Sequence, residues 1–199
     1  MEDRNKFTGV NMFLSSAAVG RRAELVGIEW LKKTFPEFKI IDVSKNKEFY
    51  GPDIDALVVS PELVKPMVGE NGIEFSPNNK ELWEEKKCEK GVEIKKDRWD
   101  EILKGGTRNV AYEKISNDTK GDLGCHRKTE ADMLMLFSGA LTEFLLVDNV
   151  PAFKEWCEIY VEQHPEREHK IPNPNYNTIV HLIELSELMK QPWIREEKI

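Results

Sequence analysis

The chain has 199 residues, of which 40% are hydrophobic and 33% are charged, and its net charge is −7. This composition is typical of a globular protein, and we predict a single domain over residues 1–199. The acidic balance argues against a protein that coats nucleic acid by general phosphate neutralisation, but an enzyme with metal-binding carboxylates fits it. No apolar run reaches the roughly 20 residues that span a bilayer, and the acidic N-terminus differs from a secretory signal. We therefore expect a cytoplasmic protein with no membrane partner.

The first half of the chain is predicted to form one helix, two strands and an insert. Apolar residues at helical spacing precede Pro36, and a Gly-Pro turn precedes a continuous apolar run typical of a strand buried on both faces. The predicted elements are, in chain order, a helix over Ser15–Phe35, strands over Lys39–Val43 and Ile54–Val59, and an insert over about 61–90 holding a hairpin whose apolar parts are Ile73–Phe75 and Leu82–Trp83.

The second half is predicted to contain most of the strands and a long helix. Periodicity does not decide whether Leu141–Val147 is a strand or a short helix. Cys125–His126 lacks the spacing of a structural zinc site and is interpreted as part of a loop. The remaining predicted elements are strands over Val92–Trp99, Arg108–Ile115 and Ala131–Phe137, a helix over Val150–Gln163, a loop over His164–Tyr176, a strand over Thr178–Ile183 and a short helix capped by Ser186. This order predicts an α/β fold with one central mixed β-sheet flanked by helices.

Candidate catalytic residues lie on the predicted strand that follows the insert. The sequence has seven Asp/Glu-x-Lys triplets, and only Glu93-Ile94-Lys95 lies on a strand predicted to be buried, downstream of a Pro-Asp strand start. Residues two apart share a strand face, so Glu93, Lys95 and Asp97 project together while Ile94 points the other way. A cross-strand ion pair on a solvated face is the alternative interpretation of this triplet.

A carboxylate beside a lysine is the arrangement that metal-assisted phosphodiester hydrolysis uses. The carboxylate holds Mg²⁺, which polarises the phosphate and lowers the pKa of water, and the ammonium orients that water or offsets developing charge. Asp53 is expected to supply a second carboxylate and the Ile94 carbonyl a further oxygen. Asp55 shares a strand face with Asp53, so either is a candidate ligand, and Asp53 is equally suited to a turn after Pro52.

Three segments together resemble the PD-(D/E)XK nuclease superfamily. They are Gly20-Arg21-Arg22-Ala23-Glu24, Gly51-Pro52-Asp53-Ile54 and Glu93-Ile94-Lys95, and the first two are most similar to archaeal Holliday-junction resolvases. A further stretch, Arg108–Glu113 followed by Lys128–Asp132, is similar to a strand pair of phage-type members. The resemblance covers about residues 15–137 and implies a restriction-endonuclease-like core. The stretch between Asp53 and Glu93 is longer than is usual there, because of the insert.

The resemblance implies roles for individual residues. It favours Asp53 over Asp55 as the metal ligand with Glu93, makes Lys95 the residue that positions water, and gives Glu24 a metal contact through water. A local pairing of Glu24 with Arg21 is the alternative for that carboxylate. Further side chains are candidates for contacts to DNA, with turn or loop positions as the alternative for Asn109, Lys128 and Thr129; these candidates are Arg21, Lys96, Arg108, Asn109, Lys128 and Thr129.

The sequence therefore predicts a Mg²⁺- or Mn²⁺-dependent nuclease that hydrolyses DNA, with RNA cleavage as a variant of the same hypothesis. The resemblance implies that cleavage leaves a 5′-phosphate. Many relatives cut as dimers, which makes a homodimer the expected assembly. The alternative is a catalytically inactive module that keeps the fold and binds nucleic acid or protein.

Overall fold

The computed structural model of the protein describes residues 9–64, 67–68, 74–75, 78–97, 103–104 and 107–199. Its helices are α1 (Gly9–Thr34), α2 (Asn79–Glu84), α3 (Cys125–Lys128), α4 (Val150–Gln163) and α5 (Leu185–Leu188). Its strands are β1 (Lys39–Asp42), β2 (Ala56–Val59), β3 (Met67–Val68), β4 (Glu74–Phe75), β5 (Lys90–Lys96), β6 (Leu103–Lys104), β7 (Thr107–Asn117), β8 (Asp122–Leu123), β9 (Met133–Phe137), β10 (Glu143–Val147), β11 (Glu168–Pro172), β12 (Asn177–Glu184) and β13 (Ile194–Lys198). None of the described helices is both long and apolar enough to cross a membrane.

The fold is α/β with a mixed sheet at its centre. Six strands form this first sheet in the order β1-β2-β5-β9-β10-β13. Every neighbouring pair is antiparallel except β5 and β9, which run parallel. A second sheet, in the order β11-β12-β7-β6 with β8 beside β7, is built largely from the segments on either side of β9 and β10. The predicted central mixed sheet is present, and the structure adds the second sheet because β7 pairs with β12 and not with β5 or β9.

The first sheet is covered on both faces, which explains its continuous apolar strands. One face packs under α1, where Ala23 and Leu31 meet Val92 and Ile94. The opposite face packs against α4 and the second sheet, as β9 and β10 alternate their side chains between the two cores. Gly27 of α1 lies so close to β5 that a Cβ at this position would be 2.9 Å from Ile94 Cδ1. Helix α1 therefore lies directly over the strand that carries the predicted chemistry.

Most predicted elements lie where the pattern placed them, and the segment Leu141–Val147, left undecided by the sequence, contains strand β10 and no helix. The predicted hairpin of the insert was partly wrong, since the partner of β4 is β3 and Leu82–Trp83 lies on α2. The side chain of Asn78 caps that helix by accepting from the Lys80 N–H, a local contact that favours helix over strand. Ile73, Arg98 and Trp99, which belonged to predicted strands, lie outside the described residues.

Two predictions in the C-terminal region were wrong. The predicted loop over 164–176 contains β11, an exposed edge strand whose only apolar positions come at its end and which pairs with β12. Such a strand lacks the alternation by which strands are found. The short helix α5 begins after Glu184, so Ser186 lies within it and does not cap it. The charged edge strand β13 was not predicted for the same reason as β11.

Candidate functional site

The two faces of β5 carry different chemistry. Val92 and Ile94 are buried under α1. By strand alternation Glu93 and Lys95 face the opposite side, as the sequence predicts. The Glu93 residue is only 1% exposed, although it bears a carboxylate. A buried charge of this kind requires a compensating partner.

Lys95 supplies that partner and links two parts of the site. Its ammonium forms an ion pair with the Glu93 carboxylate beside it on the strand. The same Nζ lies 3.6 Å from Oδ2 of Asp53, a residue of the turn before β2. Two carboxylates separated by forty residues of sequence thus share one cation.

Asp53 is held in position by its backbone. It has a φ of 57°, in the left-handed region that Asp tolerates better than most residues, which confirms the interpretation of Asp53 as a turn residue. Its carbonyl accepts a hydrogen bond of 3.1 Å from Thr129 Oγ1. The Glu130 N–H donates to the neighbouring Pro52 carbonyl at 2.8 Å. The segment after α3 therefore fixes the turn that presents Asp53.

Asp55 is a third carboxylate at the same place. Its Oδ2 accepts a hydrogen bond of 2.8 Å from the Ile94 N–H, just beyond the point where β2 and β5 cease to pair. In an antiparallel ladder the N–H and the carbonyl of one residue point to the same neighbour, so the Ile94 carbonyl faces this side too. Asp55 is thus placed at least as well as Asp53 to share a cation with Glu93 and the Ile94 carbonyl.

Burial dominates the electrostatics of the site. Desolvation raises the pKa of Asp55 to about 6, and the hydrogen bond from Ile94 and the charge of Lys95 only partly oppose it. Burial raises the pKa of Glu93 well above its ordinary value, with Lys95 opposing and the charges of Asp55 and Asp53 adding to the effect. Burial alone would lower the pKa of Lys95, but the charges of Glu93, Cys125 and Asp53 and the hydrogen bond to Glu93 together outweigh burial and raise that pKa. The lysine therefore stays protonated among an excess of acids.

Glu24 lies at the edge of this cluster. Its charge contributes to raising the pKa of Asp55, so the two carboxylates are within electrostatic reach. Its closest described contact is local, an ion pair of 2.7 Å with Arg21. Arg21 also donates to Asp42 at 2.9 Å and to Ser44 at 2.7 Å. Both interpretations of Glu24 thus have support, and Arg21 is engaged with side chains at the end of β1.

The structure gathers only some of the predicted DNA contacts near the site. Thr129 is buried and supports Asp53, and Lys128 donates to the Tyr50 carbonyl at 2.6 Å on the same turn. Lys96 lies on β5 but alternates to the face of Ile94. These residues support the site or lie at its margin.

Arg108 and Asn109 lie at the start of β7, in the second sheet. Asn109 is buried, and its side chain accepts from Arg167 at 2.6 Å and donates to the Thr107 carbonyl at 2.8 Å. Asn109 lies about 13 Å along β7 from Glu113, the residue whose N–H contacts His126 at the border of the site. The structure thus assigns Asn109 to the packing of the second sheet, whereas Arg108 is exposed.

A group of polar side chains that the sequence did not assign borders the site. Cys125 and His126 lie on α3, not in a loop, and the charges that act on both include those of Lys95, Asp53 and Glu113. The His126 Nδ1 accepts from the Glu113 N–H at 3.0 Å, so the neutral ring carries its proton on Nε2. Burial lowers the pKa of His126 and raises the pKa of Cys125 to about 12, which keeps both uncharged. Sequence reasoning considered Cys125-His126 only as a zinc motif and Thr129 only as a contact to DNA, and no local signal shows that they border the site.

Within the described ranges, no group of three or more His, Cys, Asp or Glu side chains is arranged to hold a metal ion. In the cluster, the carboxylates of Glu93 and Asp53 are both paired with the ammonium of Lys95. Comparison of the chain with protein-family models, with curated proteins and with solved structures gives no match. The functional argument therefore depends on the geometry of the chain itself.

Proposed function

We propose that the protein is a metal-dependent nuclease that hydrolyses DNA phosphodiester bonds, built on a restriction-endonuclease-like core. The observation that carries the proposal is the pairing of Glu93 and Asp53 with the ammonium of Lys95. Asp55 lies within electrostatic reach of the same ammonium. Strongly perturbed carboxylates beside a specific charged partner are characteristic of functional sites. The order in which α1, β1, β2 and β5 follow one another, with the paired strands adjacent in the sheet, supports the resemblance of the sequence motifs.

The acids of this cluster fit a hard divalent cation. Mg²⁺ prefers oxygen ligands and needs only one or two carboxylates, with water and substrate phosphate completing its shell. Glu93 and either Asp55 or Asp53 would hold it together with the Ile94 carbonyl, and Glu24 would contact it through water. When bound, Mg²⁺ or Mn²⁺ polarises the phosphate and lowers the pKa of water. Burial raises the pKa of Asp55 and of Glu93, and a bound cation would lower both pKa values because it favours the ionised carboxylates.

The protein residues have distinct tasks in this proposal. Lys95 remains protonated, so its ammonium orients the attacking water or offsets charge that develops on the phosphate. Asp55 fixes the end of β5 by accepting from the Ile94 N–H. Thr129 keeps the Asp53 turn in place. Cleavage that leaves a 5′-phosphate is what the resemblance to the superfamily implies.

Cleavage assays test the proposal. Purified protein is incubated with plasmid, linear, single-stranded and branched DNA and with RNA, in Mg²⁺, Mn²⁺ or EDTA. We expect cleavage that requires the cation and that is lost in Glu93→Gln, while Glu155→Gln, a matched change at an exposed position of α4, retains it. Metal-dependent cleavage that persists in Glu93→Gln would remove this cluster from the reaction.

A second candidate is an inactive module that keeps the fold and binds nucleic acid or protein. The observation that favours it is the pairing of Lys95 with both Glu93 and Asp53, which gives the acids a partner without a metal. This candidate predicts no cleavage of any substrate and the same thermal stability in Mn²⁺ and in EDTA.

A further inference from the structure

A cleft of about 470 Å³ lies on the far side of α4 from the contacts that this helix makes near the candidate site. Its walls come from the second half of α4, the turn after it, the end of β12 and α5. On α4, Lys154 donates to the Thr129 carbonyl and Glu158 accepts from Arg127, both toward the α3 segment. Trp156, Tyr160 and Gln163 lie on the opposite face of α4 and line the cleft. One helix therefore separates two polar regions of the molecule.

The wall on the α4 side is aromatic. The rings of Trp156 and Tyr160 lie 5.2 Å apart between centroids and 30° apart in plane. Tyr160 in turn lies 4.4 Å from the ring of His164, which is tilted by 37°. Tyr160 is buried, whereas Trp156 and His164 are only partly covered. Flat ring surface thus borders the open space, and planar ligands stack on such surface.

The opposite wall is polar and its charges are paired. Arg167 donates to Glu184 at 2.6 Å, to Asn109 at 2.6 Å and to the Leu182 carbonyl at 2.6 Å, which fixes its guanidinium plane. Glu187 pairs with Lys190 at 2.7 Å. Carboxylates at the rim oppose an anionic ligand, and the pairing of each one leaves little attraction for a cation.

The side-chain amides of Gln163 and Gln191 complete the lining. Each amide offers two N–H donors and a carbonyl acceptor. Aromatic surface together with amides and with charged side chains that are paired suits a neutral planar ring that has donors and acceptors on its edge. A nucleobase has this chemistry, and its phosphate would remain outside, away from the acidic rim.

We propose that this cleft binds an unpaired nucleobase of a single-stranded nucleic acid, stacked on Trp156 and hydrogen-bonded by the amides of Gln163 and Gln191. The choice of nucleobase as ligand depends on the proposed nuclease function, whereas the shape and the polarity of the cleft do not. A substrate strand held in this way would lie against both flanks of α4, so that the unpaired base is bound on one flank and the phosphodiester bond on the other.

Binding is measured apart from cleavage, with the full chain carrying Glu93→Gln in EDTA. A fluorescently labelled 12-nucleotide single strand is titrated and its anisotropy recorded, beside the same strand with every base removed. We expect the intact strand to bind about tenfold more tightly than the abasic strand, because stacking on one aromatic side chain has roughly that effect. Trp156→Leu is expected to remove most of this difference, and Gln163→Ala to reduce it. Glu162→Ala, an exposed neighbour outside the cleft, leaves it unchanged.

Equal binding of the intact and abasic strands would overturn the inference, as would a preference for the intact strand that survives both Trp156→Leu and Gln163→Ala. Gln163 is exposed, so its substitution leaves the core intact if Trp156→Leu does not fold. The two proposals fail separately in this design. Wild-type cleavage with no base-dependent binding contradicts only the cleft, and base-dependent binding with no cleavage contradicts only the nuclease.

Discussion

The polar cluster around Lys95 and the polar networks around Arg167 and Arg127 differ in their balance of charge. Around Lys95, the carboxylates of Glu93 and Asp53 share one ammonium and Asp55 lies nearby, and burial leaves Asp55 and Glu93 with raised pKa values. Around Arg167, one guanidinium donates to three acceptors, and around Arg127 the Glu158 carboxylate receives both a guanidinium and the Tyr112 hydroxyl. The second group is electrically balanced, and the first has an excess of acid.

The difference separates a structural network from a candidate site. A balanced buried network fixes how elements pack, because each polar group has its partner. An excess of buried carboxylates lowers the stability of the fold. Such an excess is typical of sites where a bound ligand neutralises the charge. Substitutions in the two regions are therefore expected to have opposite consequences for stability and activity.

The largest expected effect follows from removing the shared cation of the acidic region. Lys95→Met keeps most of the side-chain length but removes the ammonium, and we expect cleavage to fall by about 10²- to 10⁴-fold. The rate of plasmid cleavage in Mg²⁺ at saturating enzyme measures this. Lys45→Met, at an exposed position, is the control and should cut at the wild-type rate. A Lys95→Met enzyme that is equally active would place the chemistry elsewhere.

The balanced region should show the larger loss of stability. Arg167→Ala removes the hydrogen bonds that the buried Asn109 and the Leu182 carbonyl accept from the guanidinium, and we expect the free energy of unfolding to fall by about 2–4 kcal/mol. Urea denaturation provides the measurement. Arg195→Ala, which removes a half-exposed arginine paired with Asp148 and Glu197, should cost less than about 1 kcal/mol. Similar losses from the two substitutions would show that the Arg167 network adds nothing beyond a surface pair.

Removing a charge from the acidic region should instead stabilise the protein. The pKa of Asp55 is about 6 when folded, above its ordinary value of 3.8, so the folded state binds the proton more tightly. Its contribution to stability is therefore present below about pH 4 and is lost as the pH rises through 6. In EDTA, Asp55→Asn should raise the free energy of unfolding by about 1–3 kcal/mol at pH 7.5 and by much less at pH 4.5. Thermal melts at the two pH values test the sign, and a larger gain at pH 4.5 would contradict it.

The smallest expected effect concerns the support of the Asp53 turn. Thr129→Val removes the hydroxyl that donates to the Asp53 carbonyl and accepts from the Ala131 N–H. We expect a stability loss of about 1 kcal/mol and a decrease in cleavage of about tenfold, because Asp53 loses its fixed position. Thr129→Ser retains the hydroxyl and should restore both quantities. Loss of activity in Thr129→Ser as well would show that the methyl group, not the hydrogen bond, matters.

Part of this site could be predicted because its signals are local. Alternation along β5 placed Glu93 and Lys95 together on the face opposite Ile94, and the structure confirms this arrangement. The turn at Pro52 was predicted from residue type, as was its suitability for Asp. The same local reasoning identified most strands of the first sheet.

The remaining features depend on contacts between distant segments. Asp55 can accept from the Ile94 N–H because β2 begins one residue after Asp55, so the choice between Asp53 and Asp55 could not be made from spacing. Asn109 was a candidate for contact to DNA, but it is buried against Arg167. The sequence could not show this contact because Arg167 is 58 residues away in a segment predicted to be loop. His126 and Thr129 join the site region through the pairing of α3 with β7 and with the Asp53 turn, which no periodicity shows.

Calorimetric titration with Mn²⁺ is the most direct test of the central claim, that the acid cluster around Lys95 exists to bind a divalent cation. The protein at pH 7.5 should give a saturable isotherm that is lost in Glu93→Gln and in Asp55→Asn and is unchanged in Glu155→Gln. Retention of the isotherm in Asp55→Asn with its loss in Asp53→Asn would reverse the assignment of the ligand within the same site. An absence of binding, or binding that survives all of the substitutions in the cluster, would contradict the claim.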